Sequence, residues 1–113
     1  MAGVSASRFA STLKKLPKLG GRQMELLQIH YRAPGRALNA KKLAERVGYR
    51  DYRGINIRYG LLAADIGRRL GRRYPDLALL VDFVSPKTAS NEEYILVMHP
   101  EFAEGLMLAG WVR

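Results

Sequence analysis

The chain contains no cysteine, which excludes disulfides, a thiolate nucleophile and cysteine-ligated zinc, and fits a reducing compartment, so cytoplasmic residence is expected. No apolar run approaches the roughly 18 residues that would cross a bilayer, and no membrane partner is expected. No glycine loop leads into Gly-Lys-Ser/Thr, so there is no P-loop. Histidine is scarce, with only His30 and His99, and no cofactor or metal is expected. Acid is missing from the start of the chain: none precedes Glu25, while Arg8, Lys14, Lys15, Lys18 and Arg22 stand among serines. That composition faintly resembles a transit peptide, but the apolar spacing there has a simpler use in a helix.

What remains is a basic chain of 113 residues, 48% hydrophobic, suited to one domain with one modest core. The net charge of +9 is unevenly spread. Residues 1–76 hold 17 Lys and Arg against 5 Asp and Glu, whereas residues 77–113 hold 2 against 5. A polyanion gains affinity with each counterion released, so a basic excess confined to one part of the chain points to phosphate contact there.

That basic part contains the most structured stretch, LNAKKLAERVGYRDYRGINIRYGLLAADIGRRL over 38–70. Asn39 is a good N-cap; Ala40, Leu43, Ala44 and Val47 follow at helical spacing, and Gly48 offers a left-handed stop. Tyr49 and Arg50 make a turn, Asp51 caps the next helix, and Ile55, Tyr59, Leu62, Ile66 and Leu70 form one apolar face. A helix over about 40–47 and a longer one to about 70 thus form a helix-turn-helix. On the longer helix, Arg53, Asn56, Gly60, Ala64 and Gly67 fall about 100 to 180° from Ile55 and should form an accessible face. Its glycines each cost about 1 kcal/mol against alanine. Close approach by DNA backbone or by another helix would account for them.

The flanking segments organise around this unit. Phe9, Leu13 and Leu16 give a first helix over about 6–16, ended by Pro17. Met24, Leu27 and Tyr31, thickened by Leu26 and Ile29, give a second over 22–32, stopped by Ala33-Pro34-Gly35; residues 36–38 read as a short extended piece. Beyond Pro75-Asp76, residues 77–84 and 94–98 read as two strands of an antiparallel hairpin around a polar loop at 85–91. Asp82 inside the first strand should face solvent or a basic partner. Pro100 starts a final helix ending at Gly110, with Glu101 and Glu104 near its positive end, and Trp111 and Val112 should tuck against the core. The expectation is an α+β, winged-helix-like single domain: helical N-terminal two-thirds, then hairpin and final helix.

Catalytic candidates are few. His30 reads as structural or surface, and His99 as a cap or strand end. Glu92-Glu93 and Glu101/Glu104 suit a hairpin edge and a helix start better than acid/base pairs. GRRLGRR at 67–73 suits both a favourable helix C-terminus and a phosphate-tracking patch. Tyr49 and Tyr52 beside Arg50 and Arg53 interleave aromatic and cationic groups, although one tyrosine, Tyr49, is expected in the core. Double-stranded DNA is therefore the expected partner: Arg50, Arg53, Asn56 and Arg58 contact it first, Lys41, Lys42, Arg72 and Arg73 flank them on phosphates, and the 86–91 loop acts as a wing. Arginines dominate and only Asn56 suits a bidentate adenine contact, so little base selectivity is expected. The rival from another class is a protein-interaction or inhibitor module that uses the glycine-rich face of the long helix.

The run APGRALNAKKLAERVGYRDYRGINIRYGLLAADIGRRLG, followed by the hairpin and ILVMHPEFAEGLMLAGWV, resembles the ScoMcrA-like N-terminal head domain of McrA-type HNH restriction endonucleases. The Gly48-Tyr49 turn, the Asn56-x-x-Tyr59-Gly60 run and the segment 106–111 carry most of the likeness. The resemblance implies a DNA-associated accessory module, without catalysis of its own, in restriction-modification or phage defence. Its partners would include an HNH nuclease domain or another defence or phage protein. The nuclease part is absent from this sequence, whose two histidines lie on unrelated elements.

Overall fold

Local capping chemistry places the helices of the computed structural model, which describes residues 4–17, 19–72, 77–84 and 94–113. Helix α1 (Ala6–Lys14) starts where Ser5 Oγ accepts the Arg8 N–H at 3.2 Å and buries Phe9, Ala10, Thr12 and Leu13. It ends two residues short of the expected Leu16. Helix α2 (Gly21–Arg32) buries Leu26, Leu27 and His30. Its inner face is therefore turned from the expected Met24–Leu27–Tyr31 stripe, because His30 has polar partners in the interior.

After α2 the chain turns through Gly35 and Arg36, both left-handed at φ 64° and 56°, into strand β1 (Ala37–Asn39). Asn39 ends the strand and also caps helix α3 (Ala40–Val47), its Oδ1 accepting the Lys42 N–H at 2.7 Å. All four predicted apolar positions of α3 are buried. Gly48, at φ 92°, ends the helix in a conformation a side chain would strain. Asp51 then caps helix α4 (Tyr52–Arg69) by accepting the Arg53 N–H at 2.9 Å. Helix α4 stops at a left-handed Gly71, where the Arg72 N–H returns to the Gly67 carbonyl at 2.8 Å.

The first predicted strand is shortened. Residues Leu77–Leu79 form a single 3₁₀ turn, closed by the Leu80 N–H on the Leu77 carbonyl, and only Val81–Val84 is strand β2. A continuous apolar run has no period with which to choose between turn and strand. Strand β3 (Ile95–Met98) pairs antiparallel with β2, Val81 opposite Met98, and with β1, Ala37 opposite Val97. The expected hairpin is thus part of a three-stranded sheet in the order β1-β3-β2. The 86–91 loop lies outside the described residues. Helix α5 (Pro100–Leu108) packs on α1, where a Cβ on Gly105 would stand 2.5 Å from Phe9 Cβ and the Phe9 and Phe102 rings meet edge to face. Val112 is buried and Trp111 half-buried behind it, as expected.

The fold is α+β and mostly helical, with one core. Ile55, Tyr59, Leu62 and Ile66 of α4 join Leu43 and Val47 of α3, Leu26 and Leu27 of α2, and Leu96 and Met98 of β3. The apolar face predicted for α4 is therefore its inner face.

Candidate nucleic-acid interface

The rotation of α4 decides which side chains it offers to a partner, and a buried polar chain fixes that rotation. His30 of α2 lies 2.9 Å through Nε2 from the Leu96 carbonyl of β3 and 2.6 Å through Nδ1 from the Tyr59 hydroxyl of α4. A carbonyl only accepts, so His30 Nε2–H donates to it and the Tyr59 O–H donates to Nδ1. Burial favours the neutral imidazole, holding the His30 pKa below its ordinary range, and likewise pushes the Tyr59 hydroxyl pKa upward. Three elements are thereby tied through groups that would be costly to leave unpaired.

With that face inward, the outer face of α4 carries Arg53, Ile57, Leu61 and Arg68, all exposed, with Gly60 and Ala64 half-exposed between them. Arg53 is held by Asp51 at 3.0 Å, and its guanidinium lowers the Asp51 pKa while its own is raised. Arg68 pairs with Asp65 one turn back. Both pairs are solvent-exposed and weak enough to be exchanged for a phosphate. From Arg53 to Arg69 the helix runs about 24 Å, so its cationic ends are well separated.

The other predicted contacts scatter around this helix. Lys41 and Lys42 are exposed on the first turn of α3, Arg50 is exposed in the turn, and Arg72 is exposed just past Gly71. Tyr52 is half-buried and packs against the core. Arg73 lies outside the described residues. Arg58 is drawn aside: it is half-buried with its guanidinium 5.8 Å from the Tyr49 ring, which also receives Arg22 at 5.5 Å. Tyr49 is itself partly buried, and a Cβ on Gly54 would stand 3.1 Å from its ring. Asn56 is half-buried, its Oδ1 enclosed without a hydrogen-bond partner among the described residues, so it does not present a free amide edge outward. Gly67 is buried, not accessible. Of the glycines in question, Gly54 faces Tyr49, Gly67 lies in the interior and Gly71 is left-handed; at Gly60 an added Cβ would meet nothing within 4 Å.

Sequence reasoning missed Ile57 and Leu61, which are 56% and 51% exposed. The signal was available. At about 100° per residue they lie roughly 200° and 240° from Ile55, opposite the core.

The histidine at the strand–helix junction ends β3 and occupies the N-cap position of α5, in line with the expected strand end. His99 makes no capping bond; its Nε2 lies 2.9 Å from Asp82 Oδ1, which is exposed as expected. The pair lines an open groove of about 420 Å³ with Tyr31, Arg36 and Glu104, and no residue of α4 takes part in it. Among the described residues no group of three or more His, Asp or Glu is placed to hold a metal, and no helix is long and apolar enough to cross a membrane. No family model, curated protein or solved structure matches the chain.

Proposed function

We propose that the chain is a non-catalytic module that binds double-stranded DNA with the outer face of α4 in the major groove. The observation that carries this reading is the placement of that face: exposed along the helix, with Arg53 at one end and Arg68 at the other. Support comes from the charge distribution, in which the basic excess belongs to residues 1–76. The succession α2, β1, α3, α4, β2, β3 with strand order β1-β3-β2 suits a winged-helix arrangement, in which the second helix of the pair enters the groove. Lys41, Lys42, Arg50 and Arg72 then serve phosphates, while Arg58 supports the turn through Tyr49. A place beside an HNH nuclease domain or another defence protein follows from the resemblance of 33–112 to the McrA-type head domain, and remains part of the proposal.

A second reading is favoured by Ile57 and Leu61. Two half-exposed apolar side chains ringed by charge have the anatomy of a protein interface. Titrating a labelled duplex at two salt concentrations separates the readings. Duplex binding that weakens with salt is expected; no binding at low salt would transfer the face to a protein partner.

A further inference from the structure

We propose that Ile57 and Leu61 read thymine, packing against its C5-methyl group in the major groove; the inference rests on the duplex-binding reading above. Asn56, whose amide suits a bidentate adenine contact, has its carbonyl oxygen enclosed, and Arg53 and Arg68 at the two ends of the face are taken up by phosphates in that reading. Base discrimination on this helix therefore falls to whatever stands on the outer face between its arginines, and that is two apolar side chains. Among the edges displayed in the major groove, the thymine methyl is the apolar one. Four residues of helix separate Ile57 from Leu61 by about 6 Å along the axis. Base pairs stack at about 3.4 Å, so the pair spans methyl groups roughly two steps apart.

Gly60 and Ala64 stand beside the pair on the same side, and the open space at Gly60 allows the helix backbone to come close to base edges. The surroundings favour nucleic acid over a protein as the occupant: Arg53 stands one turn before Ile57, the acidic Asp65 one turn after Leu61 is paired with Arg68, and Lys41, Lys42 and Arg50 are exposed on the same helix-turn-helix. The little base selectivity expected from the sequence accordingly takes the form of a preference for A·T-rich sites.

The test uses the whole chain and three short duplexes of equal length: one A·T-rich, the same sequence with every thymine replaced by uracil, and one G·C-rich. Uracil removes only the methyl. Wild-type protein should bind the thymine duplex about fourfold more tightly per methyl buried, or roughly fifteenfold for two, than the uracil duplex, with the same salt dependence on both. Ile57→Ala/Leu61→Ala should bind thymine and uracil duplexes alike. Both side chains are exposed, so the variant should melt like wild type. Equal wild-type affinity for thymine and uracil duplexes, with salt-dependent binding intact, overturns the inference and leaves the duplex reading standing. Absence of binding to all three overturns both, and a sedimentation shift of wild-type protein lost in the double variant would then give the face to a second copy.

Discussion

The two faces of α4 are built from the same kinds of residue and sit in opposite surroundings. The inner face has Ile55, Tyr59, Leu62 and Ile66, all buried; the outer face has Ile57 and Leu61, both about half exposed. Composition does not separate Leu61 from Leu62. Their angle around the helix does, and the His30–Tyr59–Leu96 chain locks that angle. One side of the helix stabilises the domain, and the other retains apolar surface and an unfilled glycine with no benefit to the fold. Substitutions on the two sides should therefore separate stability from binding.

The largest contrast is between neighbours. Leu62→Ala opens a cavity in the core and should cost about 2 to 5 kcal/mol, whereas Leu61→Ala should stay within about 0.5 kcal/mol of wild type in denaturant melts. Similar losses at both positions would mean that the helix is rotated from the orientation described. Next in size is Tyr59→Phe, which leaves His30 Nδ1 buried without its donor and should cost about 1 to 3 kcal/mol. A neutral outcome in the same melts would remove the hydrogen bond from the account.

Acid should probe the same lock. The His30 pKa is lowered from its ordinary 6.5 by burial, so below that value the unfolded chain takes up a proton that the folded chain resists. Stability from this group is complete above pH 6.5 and declines as the pH falls through it toward the lowered folded value. Ring resonances of His30 followed by NMR should remain those of the neutral imidazole as the pH passes below 6.5, and a midpoint at or above that value would contradict the burial argument. The smallest effect has the opposite sign. Gly60→Ala should raise stability by about 0.5 to 1 kcal/mol, since helix propensity improves and nothing in the chain stands near the new methyl. It should also weaken duplex binding; a stabilised protein with unaltered binding would exclude close approach at Gly60.

Much of this architecture was legible because it is local. Asn39, Gly48 and Asp51 each act on groups within a few residues, so these caps and this stop could be placed from spacing alone, whereas the left-handed end of α4 at Gly71 was passed over for Pro75-Asp76. The pairing of β1 with β3 was not, because Ala37 and Val97 meet across most of the chain and three residues of strand carry little pattern of their own. The 77–84 run misled by being apolar throughout, which hides a 3₁₀ turn inside an apparent strand. At the candidate site, Arg53 and the α3 lysines stand exposed as expected. Arg58 did not follow because Tyr49, on the turn before the helix, draws its guanidinium aside, and a helical wheel does not contain that ring. Ile57 and Leu61 were visible at their angles but carried no charge to attract notice.

The central claim is that the outer face of α4 meets phosphates with its arginine ends, and the salt dependence of duplex binding tests it most directly. For about four to six phosphate contacts, the logarithm of affinity should fall against the logarithm of salt with a slope of roughly −4 to −5. Replacing Arg53 and Arg68 together by glutamine should flatten that slope by about two, while Glu101→Ala on α5 should leave it unchanged. A slope that is the same in wild type and in the Arg53→Gln/Arg68→Gln variant would contradict the account.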